Sequence, residues 1–172
     1  MNVDVTIRNA EPDDNKVLFQ LIYDLAEFQG IQDRLTITEQ SLNEFLFSPN
    51  ANSTIVVALI EEKIVGFTQY SIMNINRLYQ STPALYIDEM YVLPEFRNQN
   101  IGKKLFHFLA KTAAEKKYNR LEWWVVQGNT QAEDFYLGLG AIAFPEYKVW
   151  RLKKEELQKL SSLATSSTQC TE

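Results

Sequence analysis

At 172 residues, 45% hydrophobic and 23% charged, the chain has the size and composition of one soluble globular domain, able to bury roughly 70% of its unfolded surface. A net charge of −5 argues against a general nucleic-acid binder, and the longest aliphatic run, Ile55 to Ile60, is far too short to cross a bilayer. The single cysteine, Cys170, excludes an internal disulfide and, with one histidine, leaves almost no material for a Cys/His metal site, so no metal is expected.

Met1 to Val5 lacks the basic stretch and apolar core of a signal peptide, so a cytoplasmic protein is expected. Val3, Val5 and Ile7 alternate with polar residues, the period of a half-buried strand. Glu11-Pro12-Asp13-Asp14 supplies a helix start, with a proline for the first turn and acids facing the dipole. Val17, Leu18, Leu21, Ile22, Leu25 and Phe28 follow at helical spacing, and Gly30 ends this helix. Thr38 caps a second one, with Glu39 in its first turn and Leu42, Phe45 and Leu46 on one face, and Ser48-Pro49-Asn50 closes it. Thr54 to Leu59 and Ile64 to Ile72 read as a hairpin turning at Glu61-Glu62-Lys63. Asn74 to Pro83 is a loop before the next strand, where a substrate-facing segment could sit.

Ala84 to Val92 is the central strand, followed by a polar loop and a helix. That helix places Ile101, Leu105, Phe108, Leu109 and Thr112 on one stripe and Lys103, Lys104, His107 and Lys111 mainly off it. His107 reads as a solvated side chain, and Lys111, Lys116, Lys117 and Arg120 as a solvated face. Leu121 to Val126 is another strand, with Trp123 and Trp124 as packing residues. Thr130-Gln131-Ala132-Glu133 matches a capping box and starts a helix through Phe135 and Tyr136 to Gly138 or Gly140. Tyr147 to Leu152 returns as a strand. The order is β-α-α-β-β-β-α-β-α-β: an α/β fold with a mixed central sheet flanked by helices. One domain spans residues 1–153; residues 154–172 add a short helix, Lys154 to Leu163, and a Ser/Thr-rich tail that frays.

The chemistry concentrates in Leu85 to Lys104. Acids are disfavoured in central strands, so Asp88 and Glu89 in succession invite explanation. Neighbours on a regular strand point to opposite faces, which leaves one acid for a cleft and the other as a structural partner for Arg or Lys. Beyond Pro94, the loop from Arg97 runs into a helix whose first N–H groups are unpaired and carry an effective charge of about +0.5, a place for an anion such as phosphate. Taken alone, the loop reads equally well as an ordinary strand-to-helix connection with a solvated arginine. Asn129 turns or caps the chain, and Tyr136 shares a stripe with Ala132, Phe135 and Leu139, which reads as core packing with a hydroxyl in need of a partner.

Arg97-Asn98-Gln99-Asn100-Ile101-Gly102 resembles the R/Q-x-x-G-x-G/A signature of the GNAT acyl-CoA N-acetyltransferases, with Asn100 in place of the first glycine. Asparagine tolerates the left-handed conformation better than other non-glycine residues, so the loop can keep its shape. The resemblance covers the chain to about Lys153 and is closest to the spermidine/spermine (diamine) branch, through Leu85-Tyr86-Ile87-Asp88-Glu89, Asn129, Phe135-Tyr136, Gly140-Ala141 and Trp150-Arg151. It implies the GNAT fold and direct transfer of acetyl from acetyl-CoA, in a ternary complex, to a primary amine of a diamine, polyamine or lysine-like amino acid. On this resemblance, the loop of Arg97, Asn98, Gln99, Asn100, Ile101, Gly102 and Lys103 wraps the pyrophosphate, with Lys104 nearby. Backbone N–H groups around Met90, Tyr91 and Val92 face the oxyanion, and Asn129 contacts the pantetheine arm. Asp88 and Glu89 bind the amine and help remove its proton, and Tyr136 protonates the departing thiolate. Phe28-Gln29 stands where polyamine enzymes carry a Tyr-Glu pair and Lys148 where they have an acid, which predicts weaker use of polyamines. Two alternatives stay open: a non-catalytic acyl-CoA-binding sensor or interaction module, and an enzyme for protein amines. The family often forms homodimers, and the resemblance extends that expectation here, with no nucleic-acid or membrane partner.

Overall fold

A computed structural model describes residues 4–75 and 81–166, the last four by backbone alone. The chain falls into two compact units, Met1–Gly128 and Asn129–Glu172.

The first unit is built on a sheet of five strands in sequence order: β1 (Val5–Asn9), β2 (Ser53–Ile60), β3 (Lys63–Met73), β4 (Ala84–Val92) and β5 (Leu121–Glu122). All neighbours are antiparallel except β4 and β5, which run parallel. Helices α1 (Asn15–Phe28) and α2 (Glu39–Phe47) bury Leu18, Leu21, Leu25, Leu42 and Leu46 in a cluster with Ile55, Val57, Leu59, Ile64, Phe67 and Tyr91 of the sheet. Burying a leucine of this kind contributes roughly 1.5–3 kcal/mol. The alternate strand residues, among them Val56, Ala58, Leu85 and Ile87, face the other side, and helix α3 (Ile101–Glu115) contacts every strand. Its deeply buried side chains are Ile101, Leu105, Phe106, Leu109 and Ala113; Phe108 and Thr112, expected on that stripe, are half-buried.

Local chemistry fixes the helix ends. The Arg8 guanidinium grips the Asp14 carboxylate through both nitrogens at 2.6 and 2.9 Å, and the Glu11 N–H donates to the same carboxylate at 2.8 Å. This joins β1 to the 3-10 turn Pro12–Asp14 that opens α1. Gly30, at φ 68°, takes the left-handed conformation that closes α1. Thr38 accepts from the Ser41 N–H at 3.1 Å, while Ser41 Oγ accepts from the Thr38 N–H at 2.8 Å, a reciprocal cap for α2.

Two expected strands are cut short or missing. The strand anticipated over Leu121 to Val126 ends at Glu122, where the pairing with β4 as Leu85↔Leu121 and Tyr86↔Glu122 stops, just short of an irregularity of β4 at Asp88. Trp123 and Trp124 therefore lie beyond the strand; Trp123 packs edge-on against Phe106 at 5.2 Å, but Trp124 is 64% exposed and not a core residue. The strand expected over Tyr147 to Leu152 does not form: residues 141–153 carry no helix or strand, and Trp150 is 89% exposed. Alternating aromatic and β-branched residues suit a strand, but they need a hydrogen-bonded neighbour, and the described part of the second unit contains helices only.

Those helices are α4 (Thr130–Leu137) and α5 (Lys154–Ser166), the latter running past the expected end at Leu163. Asn129 Oδ1 accepts from the Ala132 N–H at 3.2 Å, so the cap of α4 is one residue earlier than the Thr130 pattern predicts. Ala132, Phe135, Tyr136 and Leu139 form its half-buried stripe, as expected. Within the Asn74 to Pro83 loop and the C-terminal tail, residues 76–80 and 167–172 lie outside the described ones, as does Val3.

Candidate active site

The pairing of β3 with β4 slips at one point: Gln69 faces Glu89, yet Tyr70 faces Ile87, leaving Asp88 as the extra residue of a β-bulge. The slip changes which way the acids point. Glu89 shares the face of Gln69; Tyr86, opposite Ser71, shares it too, since Gln69 and Ser71 are two apart on β3. Asp88 turns to the same side, where its Oδ1 accepts from Ser71 Oγ at 3.2 Å. Both carboxylates therefore stand on one face, and the expectation that alternation separates them is corrected. The bulge breaks the regular strand on which that expectation depended.

Neither acid is the structural partner of an arginine or lysine among the described salt bridges. Burial pushes the Asp88 carboxyl above its usual range, opposed by the Ser71 hydroxyl. Burial likewise raises Glu89, opposed by a hydrogen bond from the Gln29 side chain at the end of α1 and reinforced by the charge of Asp88. The Tyr86 hydroxyl is pushed up to about 12 by burial and by the charges of Asp88, Glu89 and Glu122.

Beside this face, β4 has an open edge. β3 accompanies it throughout, whereas β5 pairs with it only at Leu85 and Tyr86, so Ile87 to Val92 have no second strand neighbour among the described residues. An open edge offers N–H and C=O groups to an extended, amide-bearing chain. Val92 leads through Leu93 and the 3-10 turn Pro94–Phe96 to Asn98 and Asn100, both left-handed at φ 61°. The α3 ladder begins with Lys104 N–H to Asn100 O at 3.0 Å, so Ile101, Gly102 and Lys103 present the N–H groups that precede it. A strand edge and a helix N-terminus in succession fit an arm with two amides ending in a pyrophosphate.

Arg97 has local work in this loop. Its Nε donates to the Val92 carbonyl at 3.0 Å, and its guanidinium lies 4.6 Å from the Phe28 ring centroid and 5.7 Å from that of Tyr91. Phe28, expected to bind substrate, is thereby engaged as a platform for Arg97 while 60% exposed. Lys103 and His107 are exposed.

Arg120 corrects another expectation. Helix α3 ends at Glu115 and Lys117 turns left-handed at φ 59°, so Arg120 is no part of a solvated helix face. Its side chain is 19% exposed, pairs with Glu122, and donates to the carbonyls of Thr82 and Ile75 at 3.1 Å each. Those carbonyls flank the segment before β4. Arg120 escaped the sequence reading because its partners are backbone oxygens, which leave no pattern of side chains.

In the second unit, Tyr136 is half-buried, packs edge-on with Phe135 at 5.4 Å, and has its hydroxyl raised by burial. Lys148 and Arg151 are exposed.

The Acetyltransferase (GNAT) family matches residues 19–141. A thialysine N-epsilon-acetyltransferase of Sus scrofa is 30% identical over 170 residues, spanning 93% of this chain and 97% of its own. The L-ornithine N5-acetyltransferase of Arabidopsis thaliana is 32% identical over 80 residues, 46% of this chain and 35% of its own. Among solved structures, an integron cassette protein from the mobile metagenome of V. cholerae has a TM-score of 0.76 at 25% identity, covering 94% of this chain and 98% of that one.

Proposed function

The chain belongs to the Acetyltransferase (GNAT) family and is an acyltransferase, and on that premise we propose that it acetylates the primary amine of a small molecule, a diamine or lysine-like amino acid in preference to a long polyamine. The observation that carries this reading is the bulge, which gathers Asp88 and Glu89 on one face beside the open edge of β4. Two adjacent, partly desolvated carboxylates suit a cation that must also lose a proton. The relatives named for thialysine and L-ornithine support an amino acid with a side-chain amine.

The residues divide the work as follows. A lysine-like ammonium has a pKa of roughly 10.4 and cannot attack while protonated. Asp88 and Glu89 hold it and take its proton, directly or through water, and their raised affinity for protons makes them better bases. Acetyl-CoA supplies an activated acyl group as its thioester. The amine nitrogen bonds to the acyl carbon as the carbon–sulfur bond breaks, with no acyl-enzyme step. Backbone N–H groups of Met90 and Val92, which alternate onto the open edge while that of Tyr91 faces β3, stabilise the charge that develops on the carbonyl oxygen. Asn98 to Lys103 hold the pyrophosphate and Asn129 the amide arm. Tyr136, kept protonated by its burial, donates to the leaving sulfur. Phe28 and Gln29 border the amine site, and Gln29, neutral where polyamine enzymes carry an acid, lowers the attraction for polycations.

Thiol release from acetyl-CoA across a panel of diamines, basic amino acids and spermine tests the proposal. Turnover with small diamines or basic amino acids is expected. Tight cofactor binding without thiol release on any amine would refute catalysis, and a highest kcat/KM for spermine would refute the preference.

A further inference from the structure

The face that carries the two acids carries an aromatic corner as well. Tyr86 stands opposite Ser71, whose hydroxyl holds Asp88. The Tyr86 and Trp124 rings meet edge-on, with centroids 5.6 Å apart and planes at 74°. Trp123 turns away onto Phe106, whereas Trp124 remains 64% exposed beside the acids' neighbour. The core makes no use of this indole. An edge contact covers at most one of its faces, so at least one is left for a ligand. Such a face attracts a cation through the ring quadrupole, and indole does so best among side chains. Phe28, next to the Gln29 that bonds Glu89, is also exposed, but Arg97 already lies over its ring.

We propose that Trp124 and Tyr86 form a subsite for the second, non-reacting cationic group of the acceptor, which places short-chain dications as the substrate class. The inference rests on the amine-acetylation reading and deepens it. The reacting nitrogen sits at Asp88 and Glu89, and the distal ammonium rests on the indole face. An amine without a second charge makes no use of Trp124.

Steady-state kinetics with putrescine and with butylamine, which share a four-carbon chain, separate these cases in wild type, Trp124→Ala and Trp124→Leu. Removing the ring is expected to raise the KM for putrescine roughly 3- to 30-fold, with kcat, the KM for acetyl-CoA and the KM for butylamine little changed. Trp124→Leu keeps apolar bulk without the quadrupole and guards against a misfolded alanine variant; melting temperatures are compared alongside. An unchanged putrescine-to-butylamine ratio of KM values in a folded Trp124→Leu protein would overturn the subsite. A wild type that acetylates no amine would overturn the catalytic reading alone. Calorimetric titration with putrescine then decides the subsite: weaker binding to Trp124→Leu supports it, and equal binding, or none to wild type, refutes it.

Discussion

Tyr136 is a residue at which packing and chemistry make separable demands. Phenylalanine keeps its ring on the α4 stripe and its contact with Phe135, but deletes the hydroxyl. If the residue only packs, Tyr136→Phe should cost about 1 kcal/mol and leave turnover nearly intact. If it protonates the leaving thiolate, kcat should fall by roughly 10²–10⁴-fold at saturating substrates. A thiol pKa near ~8.5 lets the sulfur leave unaided at some rate, so the lower end is expected. Steady-state comparison, with melting temperature as control, decides; a folded variant keeping more than half of wild-type kcat, with chemistry rate-limiting, would leave Tyr136 in a packing role only. Single residues differ in how well the sequence announces them. Asn129 as a cap follows from a side chain that bonds its own backbone, and Asn100 as a left-handed residue from asparagine's tolerance of that conformation. Arg120 works on carbonyls 38 and 45 residues away, and no local pattern encodes that.

Among elements, β4 has the bounds and α3 the place in the order that the sequence predicts, because apolar runs, Pro94 and helical periodicity are local signals. The bulge is different. It depends on how β3 and β4 settle against each other, and Gly66 sets part of that approach, since a Cβ there would meet the Tyr91 carbonyl oxygen at 2.8 Å. The strand expected over Tyr147 to Leu152 does not form for the opposite reason, as propensity without a partner makes no sheet. The loop between β4 and α3 yields a prediction at this scale. Asn100→Gly should preserve fold and cofactor affinity, because glycine adopts φ 61° without strain. Asn100→Val should cost about 1–2 kcal/mol in stability and weaken acetyl-CoA binding as the N–H groups lose their alignment. Gly102→Glu should weaken binding with the fold largely intact, by bringing a negative charge to the helix end. Calorimetry with acetyl-CoA checks all three; unchanged affinity in Gly102→Glu would put the phosphates elsewhere.

Across the whole molecule, Asp14 and Glu89 couple stability to pH with opposite signs. Arg8 holds the Asp14 carboxyl below its ordinary value of 3.8, chiefly through their hydrogen bonds. The stability this gives is present above that value and is lost as pH falls through the lower folded pKa. Burial holds Glu89 above its ordinary 4.5, so the folded state binds its proton more tightly than the unfolded chain does. Its contribution is complete below 4.5 and is lost as pH rises through the raised folded pKa. Asp14→Asn should therefore melt lower than wild type at neutral pH, with the difference shrinking in acid. Glu89→Gln should melt higher at neutral pH while acetyl transfer drops, and its advantage should fade as pH falls through the raised folded pKa and be gone below 4.5. Melting curves of the three proteins from neutral to acidic pH, read by circular dichroism, test both signs at once. A Glu89→Gln protein less stable than wild type at neutral pH would mean that the bond from Gln29 outweighs burial, and that the acid pair is built for packing before chemistry.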